Sequence, residues 1–244
     1  MKEVLVVSDN VRLVKCFKET VKIKSLTDIA SFDYRYSSKN ENPTELVRMG
    51  MGSVNLKDPK TCEYVLKKYD LILSIHCKQI FPKILTENIL CVNFHPGFNP
   101  FNRGWYPQVF SIINKKPTGV TVHVMDEFVD HGKIIDQKAV MVYPEDTSLT
   151  VYERVISLEE KLISKNIRSI ILGTFKTSLI EDEGNYNSVE DFRKLCQLDL
   201  DAVGTLREHI DLLRALTHGE FKNAYYYEEG KKLNISITLS EAQT

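Results

Sequence analysis

Apolar residues recur in two rhythms along the chain, and the rhythm changes near residue 95. Val4-Leu5-Val6-Val7, Leu71-Ile72-Leu73-Ser74 and Leu90-Cys91-Val92-Asn93-Phe94 are short, continuous apolar runs, the pattern of strands buried on both faces. Residues 32–36 and 52–56 are weaker strands, parted by a polar surface loop over 37–42. Asp9-Asn10 breaks the first run and caps a helix to about Thr20. Asp58-Pro59 opens a second helix to Lys68, with Asp at the cap and Pro in the first turn, and a third is expected near 82–87. Strands alternating with helices in this way predict βαβ units around a parallel sheet.

Beyond His95 the punctuation is denser. Pro96, Gly97, Pro100 and Gly104 make 95–104 an irregular loop, with a helix over 106–114 behind it. Residues 119–125 alternate, with Val120, Val122 and Val124 on one face, which predicts a half-buried strand. Its partner is expected at 134–142, across a loop at 126–133. Thr147 or Ser148 caps a long helix to about Leu172, whose stripe Val151, Val155, Leu158, Leu162 and Ile163 faces a core. Glu181-Asp182-Glu183-Gly184-Asn185 reads as a linker between a domain at 1–180 and a C-terminal region at 185–244. That region should hold a helix at 188–196, a second helix to Leu216, and a hairpin of residues 221–227 and 233–239.

Composition narrows the function classes. A hydrophobic content of 43% and a charged content of 27% are those of an ordinary soluble protein. The formal net charge of −1 offers no field for nucleic acid or an anionic membrane, so neither is an expected partner. No apolar run approaches the ~20 residues of a membrane span. The five cysteines are dispersed without CxxC spacing, and no secretory h-region opens the chain; both features read as reduced thiols in the cytoplasm. In that setting the sequon Asn234-Ile235-Ser236 is a chance match. No G-x-G-x-x-G follows the first strand, and no GxxxxGK[ST] or G-x-S-x-G occurs. His76-Cys77 has no second matching pair, so no metal is expected.

The segment that carries chemistry is Asn93-Phe94-His95-Pro96-Gly97, at the carboxyl end of a buried strand, where open α/β sheets bind ligands. Asn93 and His95 are two residues apart, so both side chains leave the same face of the strand. A carboxamide donor beside an imidazole suits attack on a carbonyl, one group stabilising the oxyanion while the other manages protons. A second segment, residues 119–134, ends in an acidic loop that taken alone reads as a hairpin connection.

Together the two segments resemble the folate-dependent formyltransferase family. Asn93-Phe94-His95-Pro96, the loop end Arg103-Gly104, Gly119-Val120-Thr121-Val122-His123 and Val129-Asp130-His131-Gly132-Lys133-Ile134 follow its pattern in order. The resemblance implies an α/β fold with a Rossmann-like, mostly parallel formyltransferase domain and a small C-terminal helical and β-hairpin region. It implies that Asn93, His95 and Asp130 are catalytic and that 10-formyltetrahydrofolate donates the formyl group, with no metal. It places the folate pocket at His76, Cys77, Lys78 and Gln79 together with Asp126, Glu127, Phe128 and Val129, and reads His123 as a strand residue.

Of the family's acceptors, a tRNA would need a basic surface that this charge does not provide. The loop 97–108 and the tail after residue 184 are most similar to the sugar N-formyltransferases. That similarity implies a nucleotide-linked amino sugar as acceptor, dTDP-4-amino-4,6-dideoxyglucose, destined for surface polysaccharide such as O-antigen. Arg103, Gly104, Trp105 and Tyr106 are the residues expected to hold it: a cation for the diphosphate and aromatic rings for the base. Tyr225, Tyr226 and Tyr227 alternate faces on the terminal hairpin, and an apolar hairpin with an unpaired edge favours a homodimer. The alternatives are a formyl-folate hydrolase, a formyltransferase for a dTDP-3-amino sugar or glycinamide ribonucleotide, and a non-catalytic folate- or nucleotide-binding module.

Overall fold

The continuous apolar runs become the middle of one seven-stranded sheet. Its strands are β1 (Lys2–Ser8), β2 (Ala30–Ser37), β3 (Gly52–Val54), β4 (Leu71–Ile75), β5 (Leu90–His95), β7 (Thr118–Val124) and β8 (Ile134–Val140), in the spatial order β3-β2-β1-β4-β5-β7-β8. The computed structural model describes residues 1–180 and 182–242, so Glu181 of the expected linker lies outside the described residues. The pairs from β3 to β5 are all parallel, and β7 joins β5 antiparallel. This is the α/β, mostly parallel architecture that the alternation predicts.

Helices α1 (Val11–Ile23), α2 (Thr44–Arg48), α3 (Pro59–Lys68) and α4 (Lys83–Thr86) connect the parallel strands. Their starts are written locally. Asn10 caps α1 by accepting from the Leu13 amide at 3.1 Å, and Asp58 caps α3 by accepting from that of Thr61 at 2.9 Å. The expected helix at 82–87 is a single turn. The order reverses between β1 and β4, which makes the carboxyl ends of these strands a crevice.

One expectation is corrected at β7. Val120 and Val122 are buried, and so are Thr121 and His123 at the alternate positions. Side chains of both parities are buried, so both faces of the strand are covered as well as its edges, which pair with β5 and β8.

The chain divides into two compact units, each assembled from separated stretches. The first comprises Met1–Pro96, Val120–Lys138 and Leu158–Asp182; the second comprises Gly97–Gly119, Ala139–Ser157 and the chain from Glu183 onward. The long helix α6 (Ser148–Leu172) contributes to both, and Val151, Val155, Leu158, Leu162 and Ile163 are all buried as its stripe predicts.

In the second unit β6 (Arg103–Gly104) pairs in parallel with β9 (Tyr186–Asn187), ahead of α5 (Pro107–Asn114). Helices α7 (Val189–Cys196) and α8 (Leu206–Leu216) each begin in a capping box, Ser188 with Asp191 and Thr205 with Glu208. The Arg214 side chain of α8 is buried, donating to Asp211 and to the carbonyls of Tyr143 and Asp146. The expected single hairpin is two short ones. Strand β10 (Thr217–His218) pairs with β11 (Phe221–Lys222), and β12 (Tyr225–Glu228) with β13 (Lys231–Asn234). Among the described residues no helix is long and apolar enough to cross a membrane.

Candidate active site

The end of β5 presents Asn93 and His95, and the loop from β7 to β8 brings Asp130 to them. That loop is tightly specified. The Val124 amide donates to the Lys133 carbonyl at 2.9 Å, drawing Gly132 against β7. A Cβ on Gly132 would lie 1.7 Å from the Val124 carbonyl oxygen, so only glycine fits there. Two residues earlier Asp130 takes φ 51°, a left-handed conformation that costs a non-glycine residue and is held by its surroundings. Asp126 closes the loop by accepting from the Phe128 amide at 2.9 Å and pairing with His131 at 2.8 Å.

The three side chains meet at one carboxylate oxygen. Asn93 Nδ2 donates to Asp130 Oδ1 at 3.1 Å, and His95 Nδ1 lies 3.4 Å from the same oxygen. His95 is buried, and the Asp130 side chain is 11% exposed. His123, read from sequence as a strand residue, sits directly opposite Asn93 across the β5–β7 pair. Its Nδ1 faces the Val124 carbonyl at 3.0 Å, so Nδ1 carries the proton and Nε2 accepts. Nε2 lies 3.3 Å from Asn93 Nδ2. The strand histidine therefore fixes which way the Asn93 amide points. The signal for it was present in Gly-Val-Thr-x-His, but the cross-strand register that gives it a partner was not.

The segment after β4 is pinned from several sides. The Asp9 amide donates to the His76 carbonyl at 3.2 Å, and the Asp9 carboxylate accepts from the amides of Lys78 at 2.7 Å and Ser37 at 2.9 Å. Burial pushes the Asp9 carboxyl up, against the pull of those amides. The Gln79 side chain is spent on Leu56 N and Val54 O, so this residue has its main chain to offer a ligand. Burial pushes the Cys77 thiol up to about 12, which makes it an inert lining group. The Lys78 side chain is exposed, and His76, at φ 59°, turns its ring to Glu159. Across the other expected wall, Glu127 pairs with Lys83 at 2.8 Å, Val129 is half-buried, and Phe128 is 61% exposed. Among the described residues no group of three or more His, Cys, Asp or Glu could hold a metal ion.

In the second unit, residues 103–106 sit on a knot of asparagines. Asn102 Oδ1 accepts from Asn114 and Asn185, both at 2.7 Å, and from Asn187 at 3.2 Å. Arg103 Nη2 donates to the Glu183 carbonyl at 3.1 Å. Gly104 takes φ 92°, and a Cβ there would lie 2.6 Å from the Asn187 carbonyl oxygen. Trp105 is 38% exposed. Tyr106 stacks on Phe192 of α7 at 4.0 Å between ring centroids, so it anchors the loop from within.

A strand-end Asn and His sharing one Asp set a hydrogen-bond donor beside a proton acceptor, an arrangement suited to acyl transfer. The chain belongs to the formyl transferase family, which matches residues 20–167. Residues 191–241 match a second family, the N-formyltransferase dimerization C-terminal domain. Within the formyl transferases the chain is similar to enzymes acting on sugars. It is 43% identical over 176 residues to the dTDP-4-amino-4,6-dideoxyglucose formyltransferase of Mycobacterium tuberculosis, covering 72% of this chain and 75% of that one. A sugar N-formyltransferase from Shewanella superposes over 100% of both chains with a TM-score of 0.97 and 47% identity. A 4-N formyltransferase from Francisella tularensis covers 99% of both with a TM-score of 0.91 and 41% identity.

Proposed function

We propose that this enzyme transfers the formyl group of 10-formyltetrahydrofolate to the amino group of a nucleotide-linked amino sugar, dTDP-4-amino-4,6-dideoxyglucose. The observation that carries the reaction is the meeting of Asn93 and His95 at Asp130 Oδ1. The acceptor is argued from the likeness to the mycobacterial, Shewanella and Francisella enzymes.

Asn93 donates a hydrogen bond to the formyl oxygen as negative charge develops on it. Its two amide hydrogens face Asp130 and His123, so one of these bonds is exchanged for the substrate oxygen on binding. His95 takes the proton released as the amine attacks, and Asp130 orients the ring and steadies the imidazolium. Folate supplies the activated formyl group. The main chain of residues 76–79 and the loop 126–129, with the exposed Phe128 ring, suit a flat heterocycle that needs amide partners and an apolar face. Arg103 is assigned to the diphosphate and Trp105 to the base, with Gly104 and Tyr106 shaping the loop around them.

The product would enter surface polysaccharide such as O-antigen. The enzyme acts in the cytoplasm as a homodimer; its five cysteines are all unpaired, and residues 191–241 match a dimerisation family. Mass spectrometry of incubations with 10-formyltetrahydrofolate and a panel of dTDP- and UDP-amino sugars tests the reading. Gain of one formyl group on the dTDP-4-amino sugar supports it. Release of formate with every sugar unmodified rejects it in favour of hydrolysis.

A further inference from the structure

A second imidazole–carboxylate pair, His76 with Glu159, begins on the strand next to the one that carries His95. The β4–β5 register sets Ile75 opposite Phe94, so the next residues, His76 and His95, are neighbours at the carboxyl end of the sheet. Parallel strands lie about 4.8 Å apart. His76 follows β4 at the crevice where the strand order reverses, and it holds a left-handed backbone at φ 59°. Its Nδ1 lies 3.4 Å from Oε2 of Glu159, on α6. Glu159 is completely buried, whereas the His76 side chain keeps 24% of its surface accessible. The second Glu159 oxygen, Oε1, is buried with no hydrogen-bond partner among the described residues. A carboxyl half-satisfied in this way is expensive, and such groups persist where a function needs them.

The stoichiometry of the proposed reaction supplies that need. An acceptor amine reaches neutral solution largely as R–NH3+, which has no lone pair to attack with. Converting R–NH3+ and a formyl-amine donor into a formamide and the free donor amine moves two protons. One leaves for solvent, and the other passes from the attacking nitrogen to the donor nitrogen. His95 and Asp130 account for the second.

We propose that His76, backed by Glu159, takes the first proton. R–NH3+ gives its proton to the His76 imidazole, leaving R–NH2 and an imidazolium that the Glu159 carboxylate stabilises. His76 then releases that proton to solvent through its accessible edge. This inference rests on the formyl-transfer reading above. Burial pushes the Glu159 carboxyl up, and His76 beside it pulls the other way. Among the described residues the titratable and charged groups nearest the pair are Asp9, whose amide bonds to the His76 carbonyl, Lys78 two residues on, His95 on the neighbouring strand, and Glu160, which pairs with Arg12 of α1 at 2.8 Å.

The test compares the wild type with Glu159→Gln and His76→Asn, following kcat/KM for the dTDP-4-amino sugar from pH 6 to 9.5 alongside the folate KM. In both variants kcat/KM for the acceptor should fall about ten- to a hundredfold at pH 7, at the lower end of what general acid–base groups contribute. The deficit should close as the pH passes the ammonium pKa of the acceptor, because the amine then arrives neutral. In Glu159→Gln, whose buried side chain lies outside the folate positions, the folate KM should not move. A deficit constant across pH in both variants, or a Glu159→Gln deficit that appears in the folate KM, overturns the proposal and leaves the pair a purely structural role. A wild type that formylates no amine sinks the reading of the reaction as well, whereas an active wild type with flat variant deficits sinks this inference alone.

Discussion

At the scale of single residues the site is an exercise in sharing. Asp130 Oδ1 serves Asn93 at 3.1 Å and His95 at 3.4 Å, and His123 Nε2 lies 3.6 Å away. With Nδ1–H of His123 donated to the Val124 carbonyl, its Nε2 lone pair can only accept, and the Asn93 amide supplies the hydrogen. Replacing His95 with Ala removes the proposed proton acceptor and leaves the strand pairing around Asn93 in place. Formyl transfer should fall by about two orders of magnitude or more with Tm unchanged, and near-normal turnover in His95→Ala would discard the mechanism. His123→Gln should lower kcat while leaving both KM values in place, because it loosens the Asn93 amide, the group proposed to meet the charge formed in the transition state. Gly132→Ala acts through the backbone. With 1.7 Å to the Val124 oxygen the loop must move, so Tm should drop, by about 1–3 kcal/mol of stability, together with activity. Retained stability and turnover would mean that the loop has slack the geometry does not show.

At the scale of elements, what the sequence made legible was whatever is decided locally. Asp58-Pro59 and Asn10 set helix starts through side chains three residues from their partners, and these appear where expected. The buried runs gave β1, β4 and β5 because strands covered on both faces need no alternation. The alternation at 119–125 misled because β7 also has both faces covered, and Thr121 is satisfied inside by the Gln137 amide at 2.8 Å. The single terminal hairpin was misjudged because Phe221-Lys222 folds back on Thr217-His218 instead of continuing into Tyr225. Glu159 left no signal at all, since 83 residues separate it from His76 and only the fold brings them together. Asp146 is likewise a product of the fold. Burial alone would raise its carboxyl, yet hydrogen bonds from Arg154, the Tyr143 amide and Thr150 draw it below its usual value. A carboxyl depressed in the folded state contributes stability above its unfolded pKa and loses it as pH falls through the folded one. Thermal stability should therefore fall below about pH 4, and Asp146→Asn should flatten that acid slope while lowering Tm at pH 7. An unchanged acid limb in the variant would show that other carboxylates carry it.

At the scale of the whole molecule the unanswered surface is apolar. Leu200, Val203, Leu206, Phe221 and Tyr227 are each more than half exposed, in a unit whose core is otherwise closed by buried Arg214 and Ala215. Scattered exposed leucines need no explanation, but five large or branched apolar side chains exposed within 28 residues of sequence concentrate apolar area in one stretch of the chain. They fall in the stretch that matches the dimerisation family, residues 191–241. The family match makes a second copy of the chain the partner to test, and a two-fold interface would bury each such residue twice. The net charge of −1 sets little repulsion against self-association. Charges placed at Leu206 and Phe221 would be buried unpaired in a dimer but would remain hydrated in a monomer, where both positions are exposed. Sedimentation equilibrium should find the wild type at twice the chain mass of 28.1 kDa, and the Leu206→Glu, Phe221→Glu double variant at that mass. Because neither side chain packs in the core of its own chain, secondary structure should be retained. A wild type that sediments as a monomer, or a dimer indifferent to both charges, would show that this surface has another use.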